Sequence, residues 1–91
     1  MYCGLDDDKM YYLKNISNIS LYGCNINGVG LKFLKNVKTL SIYVCLLKDE
    51  YLDFLLNLNN LEELYMYKCY SVSYIKKYQL GKILGNKFIY E

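Results

Sequence analysis

The sequence contains no histidine, tryptophan, proline, arginine or alanine. The absence of histidine removes the usual general base near neutral pH and the most common metal ligand in proteins. Most hydrolytic mechanisms and most zinc sites are therefore disfavoured, and no nucleophile, base and orienting group recur in a workable constellation. We predict a protein that is not an enzyme and that has no catalytic residue, metal or other cofactor.

Strong charge and long apolar runs are also absent. Eleven lysines against nine acidic residues give a net charge of +2, which is too weak to indicate nucleic acid or an anionic membrane as a partner. No stretch approaches the ~18 consecutive apolar residues that cross a bilayer. The acidic run Asp6–Asp8 does not fit a signal peptide and is expected to form a solvated turn. The sequence predicts a soluble, cytoplasmic chain.

Four cysteines divide the sequence into similar units. Cys3, Cys24, Cys45 and Cys69 lie 21, 21 and 24 residues apart. Apolar residues recur eight, five and three positions before the cysteines and two positions after them: Ile16, Val37 and Leu61; Ile19, Leu40 and Leu64; Leu21, Ile42 and Met66; Leu5, Ile26 and Leu47. Only Ser71 breaks this pattern, and Val72 stands beside it. A fixed period of this kind is typical of repeat proteins.

The unit, apolar-x-x-apolar-x-apolar-x-x-Cys-x-apolar, resembles the leucine-rich repeat family, with Cys at the position that this family fills with Asn or Cys. The resemblance covers residues 1–72, roughly four-fifths of the chain. It implies an α/β fold: a horseshoe-like solenoid segment with a parallel sheet on the concave side and short helices or turns on the convex side. It also implies one domain over residues 1–91, with a partial unit at 1–12, full units at 13–33, 34–57 and 58–79, and an ambiguous end at 80–91.

The local patterns agree with this architecture. Polar and apolar residues alternate over 18–22, 39–43 and 63–67, which predicts three half-buried strands. Leu52, Leu55 and Leu56 have the spacing of one helical face, and Asp49 is expected to cap that helix. Beyond residue 72 the pattern is lost. A fourth strand begun by Ile83 and Phe88 and a helix over 74–84 remain alternatives there.

The repeat also predicts the state of the cysteines. Equivalent residues of stacked units lie ~4.8 Å apart with parallel side chains. This geometry favours free, buried thiols that bond turn carbonyls over disulfides or a four-thiolate metal site, which need converging side chains. We expect all four thiols to be free, as a reducing compartment would allow.

The outward positions of the strands form columns across the predicted sheet. One column is Tyr22, Tyr43 and Tyr67; beside it lie Ser20, Ser41 and Tyr65, then Asn18, Thr39 and Glu63, with Gly23, Val44 and Lys68 on the other side. Tyrosine is favoured in strands for structural reasons alone, and it also supplies rigid contact area for a partner. In the resembled family the concave sheet is a common ligand surface.

These features predict a non-catalytic module that binds an unknown protein or peptide through the concave face. The alternatives are the recognition part of a larger protein, such as a ubiquitin-ligase adaptor or an effector acting in a host cytoplasm, and a degenerate fragment of a longer repeat protein. Cys3 and Leu5 are the last part of a unit whose beginning is absent. Self-association through the open ends of the stack is therefore also expected.

Overall fold

Four strands form one sheet in the computed structural model, which describes residues 6–90. Their bounds are Asn18–Tyr22 (β1), Thr39–Tyr43 (β2), Glu63–Tyr67 (β3) and Phe88–Tyr90 (β4). The strand order is β1-β2-β3-β4, and every neighbouring pair is parallel. The predicted α/β class and parallel sheet are confirmed, and the first three strands have the predicted bounds.

The register of the sheet places equivalent residues of successive units side by side. In β1, β2 and β3, Ile19 pairs with Leu40 and Leu40 with Leu64. Leu21 likewise pairs with Ile42, and Ile42 with Met66. The residues that the sequence repeat aligns are therefore neighbours in the sheet. Parallel pairing of short strands requires a crossover after each strand, and the segments between the strands supply it.

Short helices form the crossovers. The 3-10 helices are Asp8–Leu13, Val29–Phe33, Asp49–Asn57 and Gly85–Lys87, and the α-helix is Tyr74–Leu84 (α1). In the third of these, Leu52 and Leu55 are buried and Leu56 is half-buried, so the predicted apolar face is present. The tighter 3-10 winding suits a connection that must return within a few residues to the start of the next strand.

The C-terminal segment contains both the predicted helix and a fourth strand that begins at Phe88, but Ile83 lies in the helix and not in the strand. Ser73 is the N-cap of α1, and its side-chain oxygen accepts a hydrogen bond from the Lys76 N–H at 3.1 Å. Gly85 then adopts φ of +59°, a left-handed conformation that ends the helix and redirects the chain. Phe88–Tyr90 follows immediately and pairs with β3, with Phe88 beside Leu64.

The core lies between the sheet and the helices. It contains the buried inward residues of the strands. Four helix residues, each at most 1% exposed, complete it: Met10, Leu31, Leu52 and Leu80. Val72, at 4% exposed, takes the inward place that Ser71 leaves, as the sequence indicates.

One repeat position departs from the predicted core. Val37 and Leu61 are buried, whereas Ile16 is 41% exposed. The reason is position: β1 is the first strand of the described sheet, so within residues 6–90 no equivalent side chain of a preceding unit packs on Ile16.

The residue after each of the first three strands adopts a left-handed backbone conformation. Gly23, Val44 and Lys68 have φ of 62°, 56° and 56°. This turn lets the chain leave the sheet while the ladder extends by one bond: the Gly23 N–H donates to the Tyr43 carbonyl at 2.8 Å, and the Val44 N–H to the Tyr67 carbonyl at 3.0 Å. A β-branched residue is strained in this conformation, so Val44 stores unfavourable energy there.

Two substitutions test this turn. Val44→Asn should raise the free energy of unfolding by roughly 0.5–1 kcal/mol, since Asn tolerates the left-handed region. Gly23→Ala should lower it by about 1 kcal/mol, because a Cβ at Gly23 meets no atom within 4 Å and only the backbone conformation opposes it. Urea denaturation followed by circular dichroism measures both. A neutral Gly23→Ala together with a destabilising Val44→Asn would contradict the shared conformation.

Candidate functional site

A column of three tyrosines crosses the solvent-facing side of the sheet. The ring centroids of Tyr22 and Tyr43 lie 6.0 Å apart, and those of Tyr43 and Tyr67 lie 5.2 Å apart with only 22° between the ring planes. The parallel register produces this arrangement, because it pairs Tyr22 with Tyr43 and Tyr43 with Tyr67. The predicted tyrosine column therefore exists as a continuous aromatic ridge, and its first member is 51% exposed.

The second predicted column has smaller side chains than the tyrosine column at its first two positions. Ser20 is exposed, Ser41 is only 9% exposed, and Tyr65 fills the same position in β3. The structure extends this column to Ile89 in β4, which pairs with Tyr65 and is 44% exposed. The sequence did not indicate Ile89, because the spacing of the repeat changes before β4. The small serines leave a depression beside the first two tyrosines.

The third predicted column is polar. Asn18, Thr39 and Glu63 lie side by side at the start of the three strands. The Tyr65 hydroxyl donates a hydrogen bond to the Glu63 carboxylate, and this bond raises the pKa of Tyr65 above its usual value. Tyr65 is thereby held toward the polar edge, and its ring also stacks on Tyr67 with centroids 6.3 Å apart.

Two hollows flank the tyrosine ridge. One, of about 340 Å³, is lined by the tyrosines with Val44 and Lys68. The other, of about 280 Å³, lies over the serine positions of β1 and β2, and Leu13, Ile16 and Ile19 form its apolar wall. Both are shallow and open to solvent. Such a surface of one ridge and two depressions suits an extended or protruding segment of another molecule better than a small molecule, which prefers an enclosed cavity.

Comparison with protein-family models, with curated proteins and with solved structures found no match to this chain.

The described residues show little else that would carry chemistry. In residues 6–90, no group of three Cys, Asp or Glu residues is arranged to hold a metal ion. Lys76 forms an ion pair with Asp53 at 2.6 Å, and Lys77 is 6% exposed beneath the rings of Tyr74 and Tyr90. Within the same range, no helix has the length and apolar character needed to span a bilayer.

The cysteines differ from the prediction at one position. Cys45 and Cys69 are free and buried, and their Sγ atoms face the carbonyls of Tyr43 and Tyr67 at 3.4 and 3.5 Å. Burial raises the pKa of both thiols. Cys24, however, is disulfide-bonded, so the expectation of four free thiols is wrong. Cys3 lies outside the described residues.

The physical reason concerns the spacing. Units stacked ~4.8 Å apart fall within the ~4.4–6.8 Å range of Cα separations that disulfides adopt. Stacking of the units alone therefore does not exclude a disulfide. The direction of each cysteine side chain decides whether one forms. With Cys24 oxidised, the argument from free thiols to a reducing compartment no longer holds.

The three described cysteines should react differently. In denaturant without a reductant, iodoacetamide should modify Cys45 and Cys69 fully and Cys24 only after reduction. In the native state, Cys45 and Cys69 should react slowly because burial and their raised pKa suppress the thiolate. Peptide mass spectrometry distinguishes these sites. Modification of Cys24 before reduction would contradict the disulfide.

Two aspartates connect successive units, a role that the sequence pattern did not indicate. The Asp7 carboxylate accepts hydrogen bonds from the backbone N–H groups of Asn27, Gly28 and Gly30 at 2.9, 3.2 and 2.9 Å. Asp7 therefore does not lie in a merely solvated turn. It fixes the start of the second 3-10 helix from the preceding unit. Gly30 allows this approach, since a Cβ there would lie 2.5 Å from the Asp7 carbonyl oxygen.

Asp49 holds the following unit in the same manner. Its carboxylate accepts hydrogen bonds from the Ser73 N–H at 3.0 Å and the Ser73 hydroxyl at 2.5 Å. The expected role of Asp49 as the cap of its own helix is wrong, because no side-chain capping bond forms there and the residue is the first of the helix. Position in the repeat was the missed signal: Asp7 and Asp49 both stand four residues after a cysteine.

Asparagines form a second inter-unit series. The Asn36 side-chain amide donates to the Lys14 carbonyl at 2.9 Å, and the Asn60 amide to the Lys35 carbonyl at 3.2 Å. Asn36 and Asn60 are equivalent in the repeat, and each bonds to the residue before its counterpart in the preceding unit. These bonds, like those of Asp7 and Asp49, satisfy backbone groups of the crossovers that lie outside the sheet ladder.

The Asp49 contact predicts a pH dependence. The hydrogen bond from the Ser73 hydroxyl lowers the pKa of Asp49, so its stabilising contribution is present above about pH 4 and is lost as the pH falls through the lower folded-state value. Asp49→Asn should lower the free energy of unfolding by about 1 kcal/mol at pH 7, and the difference from the wild type should vanish near pH 2.

Glu50→Gln is the matched control, because Glu50 lies in the same helical turn and is exposed. Urea denaturation at several pH values measures both variants. An equal loss for the two variants at pH 7 would show that the general charge of this turn, rather than the bond to Ser73, stabilises the fold.

Proposed function

We propose that this chain is a non-catalytic protein-binding module of the leucine-rich-repeat type, and that the tyrosine side of the sheet binds a protein or peptide. The observation that carries the proposal is the tyrosine ridge, in which Tyr22, Tyr43 and Tyr67 stack at 6.0 and 5.2 Å across three strands. Aromatic residues held in this way lose little further entropy on binding, and Tyr is enriched among the residues that dominate interface energies.

The repetition of contacts supports the solenoid part of the proposal. Each unit adds one strand and one crossover, and the same backbone bonds recur: Lys38 and Thr39 both donate to the Ser17 carbonyl, and Glu62 and Glu63 both donate to the Lys38 carbonyl. Stacking of identical units through nearest-neighbour contacts is the principle of repeat proteins. The family resemblance of residues 1–72 supplies the name of the repeat type.

The sides of the ridge define what the partner should offer. The depression over Ser20 and Ser41 accepts a side chain beside the rings, while the hollow near Lys68 adds a positive charge at the opposite margin. Neither serine hydrogen-bonds to a base in the described residues, so neither is activated as a nucleophile. The face therefore offers shape, apolar area and a few polar groups, which are requirements of recognition rather than of bond breaking.

A selection experiment tests the proposal. Peptides selected from a random display library against the intact chain should bind the face, and Tyr22→Ala/Tyr43→Ala/Tyr67→Ala should weaken them at least about tenfold, because it removes the aromatic ridge. Fluorescence anisotropy measures the affinity, and circular dichroism checks the fold of the variant.

The chain offers a control of the same composition. Tyr12→Ala/Tyr70→Ala/Tyr74→Ala removes three tyrosines that are 78%, 80% and 86% exposed and lie outside the strands. This variant should bind within about twofold of the wild type. Equal losses in the two triple variants, or peptides that bind both as well as the wild type, would overturn the assignment of the ridge.

A further inference from the structure

The net charge of +2 conceals an uneven distribution of charge. Residues 9–48 contain six lysines and no acidic residue, and all nine acids lie outside this range. The six are Lys9, Lys14, Lys32, Lys35, Lys38 and Lys48. These residues belong to the partial unit 1–12 and to the first two full units, so more than half of the lysines lie in a stretch of the sequence without any acidic residue.

Two of these lysines, Lys14 and Lys35, line a hollow away from the tyrosine ridge. The hollow has a volume of about 280 Å³ and lies between the first two 3-10 helices, lined by Tyr11, Lys14, Asn15, Phe33, Lys35 and Asn36. The rings of Tyr11 and Phe33 meet edge to face, with centroids 5.6 Å apart and planes at 90°, and form an aromatic wall. The Lys32 ammonium lies 5.3 Å from the centroid of Phe33.

The repeat brings two of the charges to the same hollow. Lys14 and Lys35 are equivalent residues of adjacent units, and both line it. Neither ammonium lies within ion-pair distance of a carboxylate in residues 6–90. Two positive charges at one hollow favour a partner whose carboxylates pair with both. The third full unit carries Asn59 at the same position, so the pair is a property of this hollow and not of the repeat.

The hydrogen bonds of Lys14 and Asn36 show which groups of the hollow are already occupied. The Lys14 ammonium donates a hydrogen bond to the Tyr11 hydroxyl at 2.7 Å and lowers the pKa of that phenol. The Asn36 amide is already used by the Lys14 carbonyl and the Asn15 side chain, at 2.9 and 3.3 Å. The lysines are therefore the groups of the hollow that remain able to bind a charged partner, while the rings supply apolar contact.

We propose that this hollow binds an acidic peptide segment, in which one apolar side chain contacts Tyr11 and Phe33 while flanking carboxylates pair with Lys14 and Lys35. Charge complementarity selects an anionic partner. The size of the hollow and its aromatic wall favour a peptide over a nucleic acid strand, because a strand requires a positive groove that continues over several nucleotides and several stacking rings. The site is separate from the tyrosine ridge and does not depend on the function proposed for it.

The test uses the intact chain and a fluorescein-labelled peptide with the core Asp-Glu-Leu-Asp-Glu between Gly-Ser flanks. Anisotropy should show saturable binding that weakens as salt rises from 50 to 300 mM, since exposed charge pairs are screened. Lys14→Glu/Lys35→Glu should weaken binding at least about tenfold. Replacing the central leucine of the peptide by glycine should also weaken it, because the aromatic wall then has no partner.

The matched control is Lys82→Glu/Lys87→Glu, which makes the same change in net charge at two exposed lysines outside residues 9–48. It should change affinity by less than about twofold. Equal losses in the two double variants would overturn the proposal, as would saturation no better than that of the glycine peptide, or tighter binding of a thymidine oligonucleotide of equal charge. Absence of binding at 1 mM peptide would overturn it as well.

Discussion

The in-register parallel pairing of repeat-equivalent residues is the constraint on which the rest of the structure depends. The first three strands are five residues long and β4 only three, and strands of this length gain little by themselves. Stacking equivalent residues lets every unit use the same inward contacts, as Leu21, Ile42 and Met66 do, all of them fully buried. The same register fixes which outward side chains meet, so one geometric rule governs both the core and the surface.

Outside the ladder, side-chain hydrogen bonds keep the crossovers in step with the strands. Asp7 and Asp49 each hold the start of the following unit's crossover, and Asn36 and Asn60 each hold the end of the preceding one. A crossover of 3-10 turns leaves many backbone groups without partners, and these four residues satisfy some of them from the adjacent unit. The stack is therefore joined along three lines: the sheet, the aspartates and the asparagines.

The repeat explains how much of this structure was accessible from the sequence. Period-two alternation gave the bounds of β1, β2 and β3 and the composition of the tyrosine column, because both follow from backbone register alone. The cap formed by Asp7, the disulfide at Cys24 and the exposure of Ile16 were missed, because they depend on the direction of one side chain or on what lies beside it. At the C-terminal end, helix and strand patterns were both present, and the turn at Gly85 allows both to form.

Register also acts on chemically different columns in opposite ways. Stacking Tyr22, Tyr43 and Tyr67 is favourable, since each ring covers part of the next and the column stays partly exposed. The equivalent residues Lys14 and Lys35 bring two like charges to one hollow, where the Lys14 ammonium lies 4.1 Å from the centroid of the Tyr11 ring. Because the backbone repeats so closely, it brings equivalent lysines together by the same register that brings equivalent tyrosines together. An acidic partner would pair with both lysines without any change of fold, and this is the physical basis for the partner proposed for the hollow.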